Sequence, residues 1–150
     1  MGIGRDLFGR RKDGGEFPIE IGLTPIKSAE GMKVVSAIVD LSERKRQEEQ
    51  FRQVVEMAPN GMVMIDKSGV IEMVNSQAEA IFGYSRSELL GQSIDMLLPT
   101  RFRGGHPHHR ATYFSDPSPR SMGSGRDLYG LRKDGSEFPV EIGLNPIMTA

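Results

Sequence analysis

The feature that most constrains this chain is a long internal repeat. Residues 1–26, MGIGRDLFGRRKDGGEFPIEIGLTPI, recur as residues 122–147, MGSGRDLYGLRKDGSEFPVEIGLNPI, and the two copies differ at only six of 26 positions. Their offset of 121 residues is far longer than the roughly 20–50 residues of solenoid units. A period of that size fits a whole domain plus a linker. The 150 residues are therefore expected to hold the end of one module, a connector and the beginning of a second.

Each copy reads as a hairpin. Phe138, Val140, Ile142 and Leu144 alternate with Pro139, Glu141, Gly143 and Asn145, the period of a half-buried strand, and Phe17, Ile19, Ile21 and Leu23 repeat the pattern. The Asp-Gly pair ahead of each strand, at 13–14 and 134–135, predicts a tight turn, with the preceding strands at 5–9 and 126–130. Residues 32–41 are almost continuously apolar, which predicts a strand buried on both faces at the centre of a sheet. Residues 42–58, SERKRQEEQFRQVVEMA, carry no Gly or Pro and are rich in helix formers, so a helix is expected. Leu41, Phe51, Val55 and Ala58 fit an apolar seam that Arg44 and Glu48 interrupt. The helix is thus either a weak coiled coil or a solvated connector.

Further on, Gly61–Asp66 and Val70–Asn75 flank Lys67-Ser68-Gly69 as a second hairpin. Ser76 with Glu79, and Ser85 with Glu88, have the spacing of capping boxes and predict two short helices, the first ending at Gly83. Residues 101–121 are basic and then broken by proline, which predicts a short helix at most followed by a loop. Strands, short helices and strands again make an α+β domain with an antiparallel sheet.

Composition removes several function classes. With 19 basic against 20 acidic residues the net charge is −1, so no field favours a nucleic-acid partner. No apolar run has the length of a membrane span, and cysteine is absent. That excludes disulfides, thiolate metal sites, cysteine nucleophiles and cysteinyl-flavin adducts, and it fits a reducing cytoplasm. No paired catalytic carboxylates, activated nucleophile or phosphate loop is present: the Gly-Ser-Gly at 123–125 lacks the Lys-Ser/Thr ending. An enzyme is not expected.

Residues 51–150 resemble a PAS domain of the S-box type, through FRQVVEMAPNGMVMIDKSGVIEMVNSQAEAIFGYSRSELLGQSIDMLLP at 51–99 and GRDLYGLRKDGSEFPVEIGLNPI at 125–147. Residues 1–41 resemble the three closing strands of a preceding PAS domain, and Asp40-Leu41-Ser42-Glu43-Arg44 resembles the acidic motif from which such domains launch a signalling helix. The resemblance implies a five-stranded antiparallel sheet with short helices on one face around a small ligand cavity. It divides the chain into closing strands at 1–41, a connector helix at 42–58, and a PAS domain at 59–150 without its last strand. It further implies completion of the sheet by permutation, with residues 1–41 folding back, or by strand exchange in a swapped dimer.

The family implies a sensory and signal-relay module, serving a kinase or cyclase output domain in a parent protein and self-associating through PAS surfaces or helix 42–58. Alternatives are a ligand-free dimerisation scaffold and a haem-based gas sensor. For the last, His106 lies seven residues after Pro99, where similar haem sensors place their iron ligand, and Arg126 stands where they place an arginine that contacts bound oxygen. In those sensors an acidic residue follows the histidine on a regular helix. Here Gly104-Gly105-His106-Pro107 is expected to weaken a helix. Non-covalent flavin is a weaker alternative cofactor. His106, His108 and His109 read alternatively as transition-metal ligands, or better as solvated loop histidines that Arg101, Arg103 and Arg110 join in a solvated basic patch. Arg5 and Arg126 read as strand arginines paired with Asp6 and Asp127.

Overall fold

The computed structural model describes residues 6–123 and 125–147. The chain divides into two compact units, residues 1–54 and 55–150.

In the first unit, β1 (Leu7–Arg10), β2 (Glu16–Ser28) and β3 (Gly31–Asp40) form an antiparallel meander in that order. Both β1 and its repeat partner begin two residues later than expected, and Arg5 lies outside the described residues. The Asp-Gly turn forms as expected. Arg11 N–H donates to the Gly15 carbonyl at 2.8 Å, Gly15 N–H donates to Asp13 Oδ1 at 2.9 Å, and Gly14 takes φ 90°, a value that residues with side chains rarely adopt. The β2–β3 ladder runs from Ile19 opposite Asp40 to Ser28 opposite Gly31. The expectation of a central, doubly buried strand for residues 32–41 is corrected: β3 is the outer strand of three and is exposed along its length. Its continuous apolarity marks a surface suited to burial, which the meander does not supply.

Helix α1 (Ser42–Glu56) follows after the single residue Leu41. Asp40 Oδ1 accepts from the Ser42 N–H at 2.8 Å, and Oδ2 receives Arg11 at 2.7 Å. Hydrogen bonds from Ser42, reinforced by Arg11, hold the Asp40 carboxyl at about 2. Of the apolar seam, Val55 is buried and Phe51 is exposed.

The second unit carries β4 (Val63–Ile65), β5 (Ile71–Val74), α2 (Ser76–Phe82), α3 (Arg86–Leu89), a 3₁₀ turn at Ile94–Leu97, α4 (Thr100–Arg103), α5 (His106–Ser115), β6 (Arg120–Ser121), β7 (Leu128–Leu131), β8 (Glu137–Val140) and β9 (Gly143–Leu144). The α+β class and antiparallel pairing agree with the sequence. The strands pair as β4–β5, β6–β9 and β7–β8, so among the described residues the expected single five-stranded sheet is corrected to three two-stranded antiparallel ladders; each strand is only two to four residues long, too short to extend the pairing. Ile71, Val74, Ala78, Leu89 and Leu97 form the core, with Phe82, Tyr84 and Ile94 packed against it.

Asn75 is the polar centre of this core, with no exposed surface. Its Oδ1 accepts from the N–H groups of Met62 at 2.8 Å and Ala78 at 3.0 Å. Its Nδ2 donates to the carbonyls of Val55 at 3.0 Å and Asn60 at 2.9 Å. All four hydrogen-bonding positions of the amide are filled. Asn75, not Ser76, caps α2, which corrects the first capping box; a buried amide with three further partners outcompetes the adjacent hydroxyl. The second box stands, with Glu88 accepting from the Ser85 N–H at 2.9 Å.

Candidate functional site

The residues around His106 meet because three short elements converge. Gly104 and Gly105 separate α4 from α5, and α5 then starts at His106 with Pro107 in its first turn, where the missing N–H of proline costs nothing. The weakened helix expected at this point is thus a ten-residue helix. The diglycine moves the break upstream of the histidine.

His106 is largely buried, with 14% of its side chain exposed, and its Nδ1 lies 2.5 Å from Asp95 Oδ1 in the 3₁₀ turn. A carboxylate only accepts, so Nδ1 carries the proton that it donates, and Nε2 is the nitrogen left for other chemistry. Arg110, one turn along α5, donates to the same Asp95 oxygen at 3.0 Å. Its other terminal nitrogen donates to the Ser68 carbonyl at 3.0 Å in the β4–β5 turn. Burial alone would raise the Asp95 carboxyl, but the bond from His106 and the charge of Arg110 outweigh it and hold the group below the usual carboxylate range. Gly69, at φ 85°, makes room for this arrangement: a Cβ there would collide with the Arg110 guanidinium.

The other candidates separate. Arg126 is exposed in the turn after Gly123, its N–H bonded to the Gly123 carbonyl at 2.8 Å, and no hydrogen bond among the described residues joins its side chain to His106. The basic patch is not a single surface. Arg101 pairs with Glu137 at 2.7 Å and lies over the Tyr129 ring, and Arg103 donates to the Leu98 carbonyl at 3.0 Å. Arg110 belongs to the Asp95 cluster, while His108 and His109 are exposed. Asp6 pairs with Lys45 at 3.3 Å. Among the described residues no group of three His, Cys, Asp or Glu side chains is arranged to hold a metal ion, and no helix is long and apolar enough to cross a membrane.

Sequence reasoning missed Asp95. It lies eleven residues before His106 on an element too short to show periodicity, so no spacing rule connects the two. As a test for haem, the largely buried His106, its Nδ1 bonded to Asp95, is a residue that would hold the iron through Nε2, since metal-bound histidines commonly donate their second ring N–H to a carboxylate or carbonyl. The exposed Arg126 is not gathered into that pair.

The chain as a whole is similar to known proteins. A family model described as a PAS domain matches residues 3–43 and 59–150. Over 118 residues, 74% of this chain, the sequence is 29% identical to the sensor protein FixL of Bradyrhizobium diazoefficiens, of which 23% is covered. It is 31% identical over 97 residues, 65% of this chain, to the oxygen sensor protein DosP of Escherichia coli, of which 12% is covered. The chain thus spans less than a quarter of these relatives. Among solved structures, the PAS domain of an HTR-like protein from Haloarcula marismortui is similar with TM-score 0.50 and 25% identity, over 66% of this chain and 82% of that one. A domain of a sensory box sensor histidine kinase/response regulator from Geobacter sulfurreducens has TM-score 0.54 at 20% identity, over 69% and 86%.

Proposed function

This chain belongs to the PAS domain family, and we propose from that membership that it is a sensory and signal-relay module of a larger cytoplasmic signalling protein. In this reading catalysis resides in a kinase or cyclase output domain elsewhere in the parent protein. The ligand or redox state of the module reaches that domain through helix α1, and self-association of the module assists the relay. The domain plan is closing strands at 1–41, a connector at 42–58 and a second PAS domain from 59. Support comes from the curated relatives, which include the sensor protein FixL and histidine kinases named for cell-division control.

A second reading, a haem-based gas or redox sensor, is favoured by one observation: Asp95 fixes Nδ1 of His106 and leaves Nε2 for iron. His106 would hold the group, and haem would supply reversible binding of a diatomic gas or a one-electron couple. Asp95 would orient the imidazole, and Arg110 would keep Asp95 ionised. The similarity to an oxygen sensor agrees with this reading.

The test is the absorption spectrum of the purified chain before and after addition of haemin, with native mass spectrometry of the protein as isolated. A Soret band that is lost in His106→Ala and weakened or shifted in Asp95→Asn supports haem. A featureless spectrum under both conditions removes haem. A colourless small molecule retained in the native mass spectrum then supports sensing of another ligand. A bare chain moves the ligand-free scaffold ahead.

A further inference from the structure

The two copies of the repeat fold into one and the same hairpin yet sit in different surroundings. In β1–β2, Leu7 opposes Ile19 and Gly9 opposes Phe17; in β7–β8, Leu128 opposes Val140 and Gly130 opposes Phe138, the same register shifted by the repeat offset. The turns match as well. Arg132 N–H donates to the Ser136 carbonyl at 2.9 Å as Arg11 does to Gly15 at 2.8 Å, and each arginine lies over its own hairpin's phenylalanine, at 3.9 and 4.1 Å.

The second copy is a docking element for the 55–121 body. Phe138 meets Phe82 edge-on at 5.4 Å, and Gly130 lets the two rings close, since a Cβ there would lie 2.8 Å from Phe138 and 3.0 Å from Phe82. Arg132 Nε donates to the Ile81 carbonyl at 3.0 Å and Lys133 N–H to the Phe82 carbonyl at 2.9 Å. Lys133 Nζ binds Glu88 and Glu137 binds Arg101. Each of these docking residues recurs unchanged in the first copy as Gly9, Arg11, Lys12, Glu16 and Phe17. The first copy also extends further: β2 runs on to pair with β3, and the shared face of that ladder leaves Leu23, Val34 and Ile38 exposed at 67%, 59% and 63%.

We propose that the first-copy hairpin docks on the 55–121 body of a second copy of this chain, in the seat that residues 126–144 occupy within one chain. Exchange made in both directions closes a two-fold dimer. The seat recognises side chains, and the first copy presents the same ones. It also brings an apolar ladder that burial would stabilise. The hairpin is assigned to the seat of a second chain, and folding back onto its own body is the alternative that paired cysteines separate. The exchange does not depend on what the module senses, so it survives if the sensory reading fails.

The chain has no cysteine, so introduced pairs report cleanly. A Cβ at Gly83 would lie 3.8 Å from Lys133 Cβ, the separation of a disulfide. The experiment mixes an affinity-tagged Lys12→Cys chain with an untagged Gly83→Cys chain under mild oxidation. Lys33→Cys with Gly83→Cys is the background control. A single chain carrying Lys133→Cys and Gly83→Cys shows that the seat closes. The proposal expects light scattering to give twice the 16.6 kDa of one chain. It expects the mixed Lys12/Gly83 disulfide in several-fold excess over the control, and conversion of dimer to monomer by Leu23→Asp with circular dichroism unchanged. A single-chain mass overturns it. So does a dimer without that excess, or a disulfide formed only when Lys12→Cys and Gly83→Cys share one chain. If Gly83→Cys does not fold, Leu23→Asp decides alone, and a dimer that persists in it overturns the proposal.

Discussion

Replacing Asn75 by alanine tests whether the second unit is held by one buried amide. The amide makes four hydrogen bonds at 2.8–3.0 Å, to Met62, Ala78, Val55 and Asn60, and has no exposed surface. At about 1 kcal/mol net per bond the loss is about 4 kcal/mol, with some recovery where water reaches the Asn60 carbonyl and some added cost where it does not. Against a total of roughly 5–15 kcal/mol for a domain of this kind, that is a large fraction. Urea unfolding followed by far-ultraviolet circular dichroism reads the effect. With a slope near 2 kcal/mol per molar, the midpoint of the second unit should fall by about 2 M. Asn75→Asp sharpens the test. The carboxylate keeps both accepted bonds but sets negative charge against the Val55 and Asn60 carbonyls. Its pKa is thereby raised in the folded state, so its penalty is full at neutral pH and shrinks as pH falls and the group protonates. A loss below about 1 kcal/mol in Asn75→Ala, or no pH dependence in Asn75→Asp beyond wild type, would refute the reasoning.

Two further outcomes follow from the same ladders and turns. Glu88 is held at about 2 against an ordinary 4.5, first by the bond from Lys133 and then by Ser85. A depressed carboxyl contributes stability above its unfolded value and loses it as pH falls, so Lys133→Met should flatten the stability curve between about pH 4.5 and 2. Gly69→Ala forces a side chain to φ 85° and into the Arg110 guanidinium. The strain alone costs about 1–2 kcal/mol, read as a lower Tm, and loss of the Arg110–Ser68 bond should appear as faster amide exchange in the 66–70 turn.

Signals local to one stretch of chain were legible in the sequence. The Asp-Gly turns, the helix beginning at Ser42, the Ser85–Glu88 box and the 67–69 hairpin each depend on residues within four positions of one another. Asp95 with His106, Arg101 with Glu137 and Arg132 with the Ile81 carbonyl were not legible, because their separations are set by how short elements stack. Asn75 was hidden differently. It stands beside a serine with ideal capping spacing, and only burial reveals that the amide has more partners to gain. The misjudged burial of β3 has its own cause. Apolar periodicity reports the surface a strand is suited to cover, and says nothing of which chain supplies the cover.

The elements invoked for sensing and for relay share a common member. Arg110 reaches the Ser68 carbonyl, the Ile94 N–H donates to the Gly69 carbonyl at 2.8 Å, and β5 begins two residues later. At the other end of β5, Asn75 bonds the Val55 carbonyl in the last turn of α1. The strand between them is short and stiff, with Ile71 and Val74 almost wholly buried. A ligand on Nε2 of His106 would act on α1 only if it bound the two arrangements of this path with different affinity. The Asp95 carboxylate supplies a lever for that difference. It is shared between His106 and Arg110, so a ligand that altered its bond to His106 would also bear on the hold of Arg110 on the 68–69 turn. The relay reading rests on the contiguity of these bonds, from the 68–69 turn along the buried side chains of β5 to Asn75 and the Val55 carbonyl.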